Sequence, residues 1–207
     1  MLAPRAARAD DFGTWQWTTV DLYKGEKWSA AFFNELRWIE GSRDFSLALQ
    51  GPTARYLATP DTSFGLSAYY LHVQRGYLLD DTNQAWLELD MLNSWHPVEN
   101  LTLSLRTMFE NRWLEDPHTS VQISRHRLGA AWTLHDCGPL TKIYANNEFF
   151  YDWDAGEFNE NRAIPLGVSF HLCDWANLDV FHMIRSRDGK DGWRHEFILG
   201  THLQIRF

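Results

Sequence analysis

The chain has 207 residues, a length that fits one domain, and a formal net charge of −8 that argues against general nucleic-acid affinity. Aromatic residues make up 15% of it and charged residues 22%. A soluble core rarely combines so much aromatic surface with so much charge, whereas a small membrane barrel has an apolar outer wall, aromatic girdles and a polar lumen. No stretch approaches the roughly 18 consecutive apolar residues of a transmembrane helix, so that class is excluded.

The chain opens on "MLAPRAARA", which ends small-x-small at Ala7 and Ala9 before "DDFG". This is the form of the cleavage end of a secretory signal whose apolar stretch is missing. Residues 1–11 are therefore read as a signal remnant or flexible terminus, and 12–207 as the barrel. Strand-like segments follow at about 13–24, 27–40, 44–58, 63–75, 82–96, 100–115, 120–136, 140–154, 158–173, 176–188 and 193–207. Such lengths suit tilted membrane strands of about 9–11 residues or more better than the 5–6 usual in soluble sheets. Turn signals separate them: "YKGEK", "TPDT", "HPVEN", "EDPHT", "DCGPL", "DAGEF" and "DGKDG". The expected fold is all-β, a single antiparallel up-and-down transmembrane barrel of 10–12 strands. Eleven is odd, while single-chain bacterial barrels are even-numbered, so the count anticipates one segment split or missed before residue 60.

Alternation assigns wall and lumen. Leu101, Leu103, Leu105, Phe109 and Trp113 share one face, with Ser104, Arg106, Glu110 and Arg112 on the other. Trp28, Ala30, Phe32, Leu36 and Trp38 oppose Ser29, Glu35 and Arg37, and Leu87, Leu89 and Met91 oppose Glu88 and Asp90. Mid-strand charges opposite an apolar set belong inside, because Arg or Lys facing lipid at the midplane costs about 2–4 kcal/mol. Two stretches break the pattern. "SFGLSAYYLHVQR" fits either register, and "NRAIPLGVSFHL" puts Arg162 on the parity of Leu166, Val168 and Phe170. Pro165 lacks a ladder donor, so a bulge between Arg162 and Leu166 is expected to reset the phase. Trp15, Trp17, Trp28, Trp38, Trp86, Trp95, Trp113, Trp132, Trp153, Trp175 and Trp193 lie near strand ends and are read as two interfacial belts.

Four stretches, "NELRW" (34–38), "LRTMFENRW" (105–113), "YANNEFFYDWDAGEFNENRAIPLGVSF" (144–170) and the terminal "LGTHLQIRF", resemble an uncharacterised family of Gram-negative outer-membrane β-barrels defined as a domain of unknown function. The resemblance implies the fold and an outer-membrane location, and transfers no activity. The last strand also resembles the signal read by the barrel-assembly machinery, with Leu203, Ile205 and Phe207 as its apolar positions and Gly200 and His202 as departures. The partners implied are the lipid bilayer, lipopolysaccharide and that machinery during insertion.

The interior is where chemistry is expected. Glu35, Arg37, Glu88, Arg106, Glu110, Arg112, Arg127, Glu148, Arg185 and Glu196 form the candidate lumen network, drawn from a wider set with Asp90, Arg125, Arg187 and Arg206. Polar groups so placed must satisfy one another or water, either as a rigid plug or as the lining of a narrow channel or pocket. His126, His171, His182, His195 and His202 lie on different strands without compact metal-ligand spacing, so no metal or cofactor is expected. Ser124 with His126 and Ser169 with His171 are i, i+2 neighbours about 7 Å apart, a weak signal for nucleophilic chemistry. The expectation is a non-enzymatic outer-membrane barrel, a narrow polar channel or structural barrel; an outer-membrane enzyme acting on lipid and a soluble ligand-binding barrel are the alternatives. A hairpin centred near residue 156 places Cys173 opposite Pro139, two positions from Cys137, so a Cys137–Cys173 disulfide is expected in an oxidising periplasm.

Overall fold

The computed structural model describes residues 12–39, 41–74, 81–115, 119–189 and 192–207; the expected signal remnant, 1–11, lies outside them. Eleven strands follow in order: β1 (Phe12–Lys24), β2 (Trp28–Ile39), β3 (Asp44–Thr59), β4 (Thr62–Val73), β5 (Thr82–Val98), β6 (Leu101–Leu114), β7 (Ser120–Thr133), β8 (Leu140–Asp152), β9 (Glu157–Cys173), β10 (Ala176–Arg187) and β11 (Arg194–Ile205). Each pairs antiparallel with its chain neighbour, and the sheet closes into a barrel through β1 and β11. That closing pair is parallel, from Phe12 opposite Phe197 to Val20 opposite Ile205. The expected missing segment is thus corrected. An alternating up-and-down ring of odd number must bring one pair of strands together in the same direction, and here the seam falls between the first strand and the last.

Side chains sort as alternation requires. On β6, Leu103, Phe109 and Trp113 are 39%, 42% and 45% exposed, while Met108 is buried and Glu110 has 0% exposure. Phe32, Phe64, Leu66, Leu87, Leu89, Leu128, Leu166 and Leu199 are likewise exposed. The ambiguous β4 resolves with Ser63, Ser67 and Leu71 buried and Phe64, Leu66 and Tyr70 outward.

The expected bulge on β9 is present. Against β10, His182 faces Leu166 but Ile184 faces Ala163; against β8, Tyr144 faces Gly167 but Asn146 faces Ile164. One extra residue at Ile164–Pro165 lets Arg162 and Ile164 point inward and Leu166 outward. Two further contacts lock the inner wall. A Cβ on Gly167 would sit 2.2 Å from the Tyr144 ring, and one on Gly200 2.1 Å from Phe181, so each glycine makes room for a ring lying flat on the next strand.

The reading of the tryptophans is corrected in part. Trp28, Trp95, Trp113, Trp132, Trp153, Trp175 and Trp193 are exposed, but Trp15 and Trp86 are buried. Trp15 joins Ile164, Phe181, Met183 and Ile198 in one apolar cluster, with Trp17 packed against it; Trp86 joins Leu47, Leu49 and Leu71 in another. Their parity on β1 and β5 turns them inward, where they pack beside charge. The disulfide is also corrected, since Cys137 and Cys173 are both free. The β7–β8 connection rejoins the ladder only at Pro139, whose carbonyl accepts from the His171 N–H. Asp136 and Gly138 there take positive φ, and Cys137 Sγ donates to the His135 carbonyl of its own turn at 3.4 Å.

Candidate functional site: a charged interior with a vestibule

The sequence repeats one spacing, Glu-x-Arg, at Glu35/Arg37, Glu110/Arg112 and Glu160/Arg162. On a strand this puts carboxylate and guanidinium on one face two residues apart. All three pairs close: Arg37 Nε donates to Glu35 Oε1 at 2.6 Å, Arg112 to Glu110, and Arg162 to Glu160.

Cross-strand bridges join these pairs. Arg125 on β7 lies 3.4 Å from Glu88 of β5, 3.1 Å from Glu110 of β6 and 3.1 Å from Glu148 of β8. Asp90 accepts from Arg55 at 2.7 Å and from Arg106 at 3.1 Å. Arg185 bridges Glu160 at 2.8 Å and Glu196 at 3.4 Å, and Arg187 caps Glu196 at the rim. Aromatic rings carry the guanidinium faces. Arg37 lies 3.9 Å from the Trp15 centroid, Arg112 4.1 Å from Trp86, and Arg162 4.4 Å from Phe150, with Arg125 4.7 Å from the same ring. Carboxylates in the plane of each guanidinium and rings across its face hold these charges away from water.

Nine of the ten candidate residues therefore join ion pairs. Arg127 is the exception, and it makes no hydrogen bond or ion pair among the described residues. Arg125 stood only in the wider set although it is the hub. Arg55, Glu160 and Arg162 were missed; the repeated Glu-x-Arg spacing would have found the last two, whereas Arg55 finds Asp90 only through the fold. Arg206 stands at the rim, 3.9 Å from Asp21.

The interior is not filled throughout. A cavity of about 470 Å³ is lined by Trp17, Phe33, Tyr69, Arg106, Arg127 and Tyr144 among others. Its walls run from Arg37, Trp86 and Arg162 to Thr102, Ala131 and Lys142, which lie within a few residues of the β5–β6 and β7–β8 turns. It is a vestibule reaching one end of the barrel and floored by the arginine–aromatic layer.

The histidines are scattered. His126 faces outward and meets Thr107 Oγ1 at 3.4 Å, His171 pairs with Asn177 and His195 with Ser186, and His182 stacks on Phe197. Neither Ser124 nor Ser169 hydrogen-bonds the histidine two residues on. His202 reaches the interior, 2.8 Å from Thr19 Oγ1.

Fold and interior together define a closed β-barrel with aliphatic and aromatic side chains outside and a guanidinium–carboxylate lattice within. The chain belongs to a family described as protein of unknown function, DUF2490, which it matches over residues 12–196. No curated protein and no solved structure matches it.

Proposed function

We propose that this is an outer-membrane β-barrel of a Gram-negative bacterium, a narrow polar channel whose lumen is constricted by the arginine–carboxylate lattice, without catalytic turnover. One observation carries the reading: large apolar side chains face outward along the strands while Glu110 has 0% exposure inside, the reverse of a soluble ligand-binding barrel. Exposed tryptophans near strand ends support it, since an indole at a membrane interface keeps its N–H wet. So do the connections. At one end β1–β2, β3–β4, β5–β6 and β9–β10 are joined by two or three residues and only β7–β8 by six, while at the other the connections run from four to eight. Outer-membrane barrels pair short periplasmic turns with longer extracellular loops. Leu203, Ile205 and Phe207 then form the surface offered to the assembly machinery, and lipid and lipopolysaccharide cover the wall.

Planar-bilayer conductance tests the channel. The parent is expected to conduct weakly, and Glu110→Ala and Arg112→Ala, which loosen the lattice, to conduct more. Zero conductance in all three would favour a sealed structural barrel. Lipid hydrolysis lost on His126→Ala would overturn the non-catalytic reading. A monomer soluble in buffer without detergent would end the membrane reading.

A further inference from the structure

We infer that the vestibule is a binding site for a small anion bearing a carboxylate or phosphate group. The argument starts from which interior groups already have partners. Glu35 is held by Arg37, Glu110 by Arg112 and Arg125, Glu88 and Glu148 by Arg125, Glu160 by Arg162 and Arg185, and Asp90 by Arg55 and Arg106. Two cations on the vestibule wall are left over. Arg127 sits opposite Glu148 in the β7–β8 register, but that carboxylate is engaged by Arg125, and Arg127 makes no hydrogen bond or ion pair among the described residues. Lys142 on β8 has its ammonium 5.2 Å from the Tyr144 centroid and likewise makes no ion pair there. A third donor joins them, because Arg106 Nε is buried without an acceptor while its Nη2 serves Asp90.

Guanidinium and ammonium groups donate and never accept, so what completes them is an acceptor. One wall carboxylate, Asp179, lacks a guanidinium, and it is already turned toward Gln204 at 3.4 Å and His202 at 4.0 Å. The balance at the vestibule favours a negative guest inside a protein whose net charge is −8. That contrast argues for a built site, since long-range attraction by the whole molecule would draw cations instead. The volume of about 470 Å³ is that of a small-molecule pocket, and the rings of Phe33, Tyr69 and Tyr144 give the guest an apolar body to lie against.

The inference deepens the reading of the lumen as a passage for polar solutes and rests on it, but its test does not need a membrane. The full chain, folded in neutral detergent micelles at fixed chloride, is titrated calorimetrically with inorganic phosphate in one arm and succinate in the other. Tetramethylammonium is the control. At least one anion is expected to saturate at one per chain and the cation to give no binding heat. The arm that binds names the source, phosphate or carboxylate. Arg127→Gln with Lys142→Gln should weaken binding by about tenfold or more, the loss of a charge-assisted contact, while Arg127→Lys keeps part of it. Folding of each variant is checked by the faster gel mobility of the unheated barrel, and Lys142→Gln alone decides the matter if the double variant does not fold. No binding of either anion above the chloride background, or equal binding by the variants, overturns the inference. Anion binding by a chain that stays out of bilayers would leave the site standing and end the membrane reading; conductance without anion binding would do the opposite.

Discussion

Arg125 meets carboxylates from three other strands, Glu88, Glu110 and Glu148, so its loss strands negative charges that have little access to water. Breaking a buried ionic network by removing one partner typically costs about 3–5 kcal/mol. Arg125→Met should therefore lower stability by about that much in urea titrations of the micelle-folded barrel. Arg125→Lys should recover only part, because an ammonium cannot present the planar fork that reaches several carboxylates while lying over Phe150. Arg187→Ala, at a half-exposed rim position, should cost under about 1 kcal/mol by the same measurement. A cost for Arg125→Met no greater than for Arg187→Ala would contradict the hub. At this scale the sequence was legible where spacing alone places two groups together. Glu35 and Arg37 meet because two residues on a strand share a face. The convergence on Arg125 was not legible, because it depends on the stagger between four strands. Trp15 and Trp86 were misread for a related reason: position near a strand end was weighed above the parity that turns them inward, beneath Arg37 and Arg112.

At the scale of the strand, the β9 bulge shows how one residue carries the sorting of the whole wall. Arg162 and Leu166 share parity in the sequence yet face opposite ways, and Pro165 marks the place where the phase slips. Deleting Pro165 removes the extra residue and leaves Arg162 and Leu166 three apart, so regular alternation by itself keeps Glu160 and Arg162 inward and the Leu166, Val168 and Phe170 set outward. Both the deletion and Pro165→Ala, which keeps the bulge, are therefore expected to retain the compact, unheated gel form; loss of that form on deletion alone would show that closure needs the bulge itself. The outer wall offers a second test. Two polar pairs on β6 to β9 satisfy each other: Thr107 meets His126, and Asn161 donates to Asn147 at 2.7 Å. On β2 and β3, Asn34 and Gln50 are cross-strand neighbours on the outward face, and among the described residues neither side chain has a hydrogen-bond partner. In lipid such amides are a liability. Asn34→Leu with Gln50→Leu should stabilise the barrel in phosphatidylcholine liposomes by about 1–2 kcal/mol, and Asn161→Leu, which leaves Asn147 alone, should destabilise it by about 1 kcal/mol. Destabilisation by the double leucine variant would argue that this face meets water or another protein. β4 was illegible for want of contrast: small residues at Ser63, Gly65, Ser67 and Ala68 occupy both faces, and only its neighbours settle which is inner.

For the whole molecule, closing an odd ring puts the start of β1 at the end with longer connections and the finish of β11 at the short-turn end. The eleven segments were legible because turn signals punctuate them; the closure was not, because pairing between the first and last strands leaves no local mark. The two ends can be told apart chemically. Cys137, exposed in the β7–β8 turn, and Cys173, at the end of β9, both lie at the short-turn end. Ala155 lies exposed in the β8–β9 turn at the other. If short turns face the periplasm, a bulky membrane-impermeant maleimide should leave Cys137 unmodified in intact cells and label it once the outer membrane is permeabilised. Ala155→Cys, in a chain carrying Cys137→Ser and Cys173→Ser, should be labelled in intact cells. The reverse pattern would invert the barrel and turn the vestibule outward, to the medium. Labelling of neither site until the inner membrane is also breached would place the chain inside the cell and defeat the outer-membrane reading. With the expected pattern, the vestibule opens to the periplasm and the arginine–aromatic floor stands between it and the exterior, so an anion entering from within the envelope would reach Lys142 and Arg127 before the lattice centred on Arg125.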